Sequence, residues 1–225
     1  MKVMASLAMK AVYQELVPVH ERNAKVKIET DWVGVADIKK RMIAGEITDA
    51  VIASAALIED LMTTGVLDSR TRVNLAKSGV GAAVRKGAKK PDLRTVEAFK
   101  TTLRNAKSIV YSSGPSGVYL AELFQRLGLA KELQGKATQA PPGTLVGELV
   151  ARGKFELCFQ QVPELRQVAG IDYAGPLPPE VQLVTMFSGG VHSKAVDPKG
   201  AHAWLKYLAS RDAEPSIRKH GLDPA

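Results

Sequence analysis

Between residues 108 and 127 the chain reads as a strand, a loop and a helix in quick succession. Ser108-Ile-Val-Tyr111 carries β-branched and aromatic residues, Ser112-Ser-Gly-Pro-Ser-Gly117 is all small or rigid, and the apolar positions after Val118 recur at helical spacing. A helix that starts in such a loop leaves main-chain N–H groups unpaired at the positive end of its dipole, an arrangement that suits an anion. The same arrangement is expected near Ser6 and near Gly143-Thr144.

The rest of the chain alternates in the same way. Strands are predicted over residues 3–5, 25–29, 49–53, 79–85, 108–111, 155–160 and 181–187. Helices are predicted over 7–20, 36–44, 56–63, 95–105, 118–127, 144–151, 163–169 and 199–209, with a shorter one started by Pro215. Residues 175–179, Gly-Pro-Leu-Pro-Pro, read as a rigid loop. Strands alternating with helices of this length indicate an α/β fold with mostly parallel sheets.

Composition narrows the function. The 225 residues suffice for one large domain or two small lobes. The net charge of +8 is spread over scattered lysines and arginines, and aromatics make up only 5%, so the basic excess lacks the interleaving of a nucleic-acid surface. Cys158, the single cysteine, excludes an internal disulfide and falls in the apolar run Phe155-Glu-Leu-Cys-Phe159, where a core role is expected. No apolar run reaches the roughly 18 residues of a membrane span. Lys2-Val-Met-Ala-Ser6 already reads as a core strand, leaving two localisations: periplasmic, if a leader has been cut away, or cytoplasmic.

Several ordered segments resemble one family. Ala5-Ser6-Leu7 opening a helix, Ile38-Lys-Lys-Arg-Met-Ile-Ala-Gly-Glu46 before the Asp49-Ala-Val-Ile52 strand, Pro115-Ser-Gly-Val-Tyr119, Glu148-Leu-Val-Ala-Arg-Gly153 and the helix over 199–208 are similar to the molybdate-binding branch of the type II periplasmic binding proteins. The resemblance implies a two-lobed α/β clamp, each lobe a mostly parallel sheet flanked by helices, with a ligand cleft between the lobes. Residues 1–79 and 188–225 would form lobe one and residues 80–187 lobe two, with glycines near Gly79 and Gly189-Gly190 absorbing a hinge motion.

Carried over residue by residue, the resemblance assigns ligand contacts to Ser6, to Val35 in a loop with no hydroxyl after Thr30, and to Ser113, Ser116 and Gly117. It also assigns them to the helix start Gly143-Thr144, and to Gln160 where molybdate binders carry a tyrosine. Gln161 would point to the other face of its strand. The missing hydroxyl at Val35 and the amide at Gln160 favour an organic carboxylate over a tetrahedral oxyanion. The implied partners are therefore a small anionic ligand and an ABC transporter permease, with no nucleic acid, no metal and no cofactor. Trp32 is expected in the core or walling the cleft, and His20 on the surface at a helix end.

No nucleophile elbow, P-loop or zinc spacing is present. The catalytic alternative comes from the same resemblance, because relatives of this branch include isomerases of unsaturated tricarboxylic acids such as aconitate isomerase. Moving an allylic proton takes one acid/base group and donors for a dienolate-like charge. Lys10, four residues after Ser6, is the weak catalytic candidate. A cytoplasmic ligand-sensing module is the third reading.

Overall fold

The computed structural model describes residues 1–225. The elements in chain order begin with β1 (Lys2–Ser6), α1 (Lys10–Ala24), β2 (Glu29–Val33), α2 (Val35–Ile43), β3 (Ala50–Ser54), α3 (Ala55–Thr63) and β4 (Val73–Arg85). Then follow α4 (Val96–Asn105), β5 (Ile109–Tyr111), α5 (Pro115–Arg126), α6 (Ala130–Leu133), β6 (Ala137–Gln139), α7 (Val146–Ala151), β7 (Leu157–Gln161), α8 (Val162–Arg166) and β8 (Ile171–Pro176). The chain closes with β9 (Val184–Val191), α9 (Pro198–Leu208), α10 (Glu214–Lys219) and β10 (Asp223–Pro224). Two compact units result: unit 1 is Met1–Ser78 with Thr185–Ala225, and unit 2 is Gly79–Val184.

Unit 1 has a parallel core in the order β2-β1-β3. Ala5 of β1 lies opposite Trp32 on one side and Ile52 on the other. β9 joins β3 antiparallel, Ala50 facing Val191, and β10 pairs with the first part of β4. Alternation along the strands divides the core into two layers. Val3, Ala5, Ala50 and Ile52 face Tyr13, Trp204 and Leu205, whereas Met4, Val51 and Ala53 face Ile38, Leu57 and Ile58.

Unit 2 repeats the plan with β6-β5-β7, all parallel. The second part of β4 pairs antiparallel with β7 on one edge and β8 on the other. Ile109, Leu157 and Phe159 point to Phe99, Leu120 and Leu123, while Val110 and Cys158 point to Val146, Val150 and Leu165. Cys158 is thus a core residue, its thiol pushed up to about 12 by burial. Where β8 ends at Pro176, opposite Gly81, a side chain continues the ladder. The Gln182 Oε1 accepts the Val80 N–H at 2.8 Å, and its Nε2 donates to the Val80 carbonyl at 3.0 Å.

Four expectations are corrected. The strand expected over 25–29 lies at Glu29–Val33: α1 runs on to Ala24, Lys25 closes it in the left-handed region at φ 55°, and pairing with β1 sets where the extended segment begins. The segment 175–179 is not all loop, because Gly175 and Pro176 belong to β8, an edge strand that tolerates them. The strand expected over 181–187 starts at Val184 and runs on to Val191, through Gly189 and Gly190. Both glycines are closely packed: a Cβ at Gly189 would come 2.4 Å from Leu205, and one at Gly190 2.8 Å from the end of the Met62 side chain. His20 is not at a surface helix end. It is buried inside α1 against Trp204 and Tyr207, ring centroids 4.9 and 5.2 Å away, and burial lowers its pKa.

Candidate anion-binding strand ends

In a parallel sheet whose first strand is central, the neighbouring strands are entered in opposite directions, and a crevice opens at the carboxyl ends. Both units have this order, so each carries three strand-to-helix joints on one edge of its sheet.

In unit 1 the joints are Ser6, Gly34-Val35 and Ser54. Ser6 ends β1 and precedes a short 3-10 turn, Leu7–Met9, that leads into α1. It is only 6% exposed, and its hydroxyl caps no main-chain amide. Gly34 is the N-cap of α2, with Val35 the first helical residue. The first N–H to enter that helix's ladder is that of Ile38, which donates to the Gly34 carbonyl at 3.0 Å, so the Val35, Ala36 and Asp37 amides lie ahead of the ladder. Ser54 ends β3 and caps α3 without a side-chain hydrogen bond, again buried. The sequence reading missed it, although Ile52-Ala-Ser54 repeats the small-residue ending of Met4-Ala-Ser6. The β1–β3 register places these two hydroxyls at neighbouring strand ends.

Lys10 begins α1 and forms no ion pair; its ammonium lies 6.0 Å from the Trp32 ring centroid. Trp32 is half-buried against the core and meets Tyr13 edge-on at 5.0 Å. Unit 1 therefore offers two uncommitted hydroxyls, the first-turn amides of α2 and the unpaired Lys10 ammonium.

Unit 2 is finished differently. Ser112 and Ser116 are both buried, their hydroxyl oxygens 2.9 Å apart. Ser113 and Gly114 remain half-exposed at the start of α5. The Gly117 N–H donates to the Gly114 carbonyl at 2.9 Å, so that amide is already paired. The residue is there for clearance: a Cβ would sit 1.5 Å from the Ser112 carbonyl oxygen.

At the second joint Gly143 occupies an exposed turn at φ 76°, and the Thr144 N–H donates back to the Pro141 carbonyl at 3.3 Å. Gln160, 2% exposed, spans this turn. Its Oε1 accepts the Val146 N–H at 2.9 Å and its Nε2 donates to the Thr144 carbonyl at 3.1 Å. Glu164, in α8, is buried as well and was not singled out by the sequence. Burial pushes its carboxyl up to about 8, against the opposing pull of the Gln161 main chain and the Gln160 side chain. Of the expected contacts, then, Ser6 and Ser113 stand with few internal obligations. Ser116, Gly117, Thr144 and Gln160 are tied to their own unit.

The strand plan of this chain is shared by a known group of proteins. Residues 1–223 match the profile of the bacterial extracellular solute-binding proteins. The chain belongs to that family. Among solved structures it is similar to the periplasmic molybdate-binding protein of Azotobacter vinelandii, with a TM-score of 0.82 and 15% identity, covering 99% of this chain and 98% of that one. The sulfate-binding protein of Mycobacterium tuberculosis superposes with a TM-score of 0.79 at 14% identity, covering 100% of this chain and 86% of that one. At such identities the shared property is the fold, that of the two-lobed type II periplasmic binding proteins of the molybdate-binding kind. A nearer relative in sequence is the aconitate isomerase of a Pseudomonas species, 38% identical over 228 residues that cover 99% of this chain and 87% of that protein.

Proposed function

We propose that this member of the family recognises an unsaturated tricarboxylate and isomerises it as aconitate isomerase does. The observation that carries this reading is the 38% identity to that enzyme, sustained along 99% of the chain. The chemistry at the strand ends supports it. A tricarboxylate needs several hydrogen-bond donors and a cation, and within unit 1 Ser6, Ser54, the Val35 amide and the unpaired Lys10 are of that kind.

The reaction is a proton shift along an allylic system. A base takes a proton from the methylene carbon, the electron pair delocalises through the double bond into a carboxylate, and a proton returns at the far carbon. The double bond moves, no electrons leave, and atoms balance without a cofactor. Helix-start amides stabilise the dienolate-like charge as it grows. Lys10 is the candidate to hold a substrate carboxylate or to move the proton.

Incubation with cis-aconitate in D₂O, followed by proton NMR, tests this. Appearance of the trans isomer with deuterium at the methylene carbon is the expected result. Absence of turnover at high protein concentration overturns the enzymatic reading. The family match over residues 1–223 favours one second reading, a periplasmic binding protein that delivers the same anion to an ABC transporter permease. That reading requires tricarboxylates to raise the melting temperature without being converted.

A further inference from the structure

We propose that Trp32 is a positioning residue for Lys10, and that the pair commits Lys10 to holding a substrate carboxylate rather than moving the proton. This deepens the tricarboxylate reading and rests on it for the substrate; the pair itself is a statement about unit 1 alone.

Two rungs join α1 to β2. Lys10 and Tyr13 are three residues apart on the helix, and Thr30 and Trp32 are two apart on the strand, so each pair shares a face. In the first rung the Thr30 hydroxyl donates to the Tyr13 oxygen at 2.6 Å. Tyr13 is 2% exposed and stands edge-on to Trp204 at 4.9 Å and to Trp32 at 5.0 Å. Trp32 thus has a fixed wall beside it, and its ring forms the second rung: the Lys10 ammonium lies over it, 6.0 Å from the centroid. Trp32 is the last but one residue of β2, opposite Ala5, the neighbour of Ser6. Lys10 opens α1. The cation is thereby kept at the strand ends that carry Ser6 and the Val35 amide.

The ring attracts the cation without cancelling it. A carboxylate in its place would neutralise the ammonium, whereas an indole face leaves the charge whole for an anion. Asp31, next in sequence to Trp32, points to the other face of β2 and is bound to Arg41. The attraction is also specific to the ammonium, because the ring quadrupole has no such hold on a neutral amine. A proton acceptor would have to work as that amine, against the contact. Lys10 is therefore given the carboxylate, and the proton belongs to another group.

Variants assayed with cis-aconitate test this. Lys10→Arg keeps a cation that stacks on an aromatic face and cannot give up its proton, so turnover should stay within about tenfold of wild type. Lys10→Met should raise KM with kcat little changed. Trp32→Leu should raise KM by roughly twofold to thirtyfold, the range of a cation–π contact, and Trp32→Phe by less. In the Lys10→Met background Trp32→Leu should add nothing, because its effect passes through the cation. Loss of kcat in Lys10→Arg overturns the holding role. A full Trp32→Leu effect without Lys10, or equal losses in the Phe and Leu variants, overturns the positioning role. If the Trp32 variants do not fold, NMR of wild type decides. The Lys10 Hε protons, identified by their loss in Lys10→Met, should lie upfield of those of other lysines through the ring current of Trp32, and an unshifted signal overturns the pair. If wild type binds aconitate without converting it, the enzymatic reading falls and the same variants judge the holding role by Kd. If it does not bind, the tricarboxylate reading falls and the ring-current shift judges the pair.

Discussion

In unit 1 the central parallel strand ends at Ser6, whose hydroxyl caps nothing; in unit 2 the corresponding strand ends at Tyr111 and is followed by Ser112, whose hydroxyl already faces that of Ser116 at 2.9 Å. The same contrast holds at the third strands. β3 ends in Ser54, with no cap bond, while β7 ends in Gln160 and Gln161, and Gln160 is bonded at both ends of its amide. One strand plan thus supports two ways of making a donor edge. Unit 1 keeps side chains uncommitted, and unit 2 commits side chains so that main-chain groups are held still.

The sharpest test of that contrast is Gly117→Ala. A Cβ at 1.5 Å from the Ser112 carbonyl forces α5 away from β5, so a loss of about 3 kcal/mol or more is expected in denaturant unfolding, or no folded protein. A stable Gly117→Ala would mean that the close approach is not needed. Next come the two serines. Ser116→Ala should cost about 1–3 kcal/mol of stability, because it strands a buried hydroxyl. Ser6→Ala should leave the unfolding midpoint nearly unchanged while weakening aconitate binding by a similar amount. Equal stability losses in both variants would erase the distinction between the units.

The smallest effect is in pH. In unit 1, burial lowers the pKa of His20 and His192 below the ordinary 6.5, so unfolding binds protons and their contribution is lost as pH falls below that value. In unit 2 the raised Glu164 acts in the opposite sense: its contribution is complete below 4.5 and disappears as pH climbs through about 8. Melting curves should therefore show Glu164→Gln flattening the alkaline side alone.

Much of this was legible in the chain. The alternation of strands and helices, the joint at residues 108–118 and the buried Cys158 follow from local periodicity, which survives in any environment. β2 was displaced because Thr30 and Asp31 look like an ending, although the inside-outside alternation continues to Trp32. His20 was misplaced because the helix was ended four residues early and its aromatic neighbours come from α9, far along the chain. The grip of Gln160 on Thr144 and Val146 spans 14 to 16 residues and has no local pattern. Ser54 alone had a readable cue, its likeness to the ending of β1.

The glutamine that completes the β4 ladder sets a narrow rule for its own replacement. Because Gln182 both receives from and gives to Val80, glutamate keeps the acceptor and loses the gift, while methionine of nearly the same length loses both. Only one residue, Gly79, separates Val80 from Ser78, the last residue of β4 in unit 1. Drift at position 182 would therefore fray the strand just where the chain first enters unit 2.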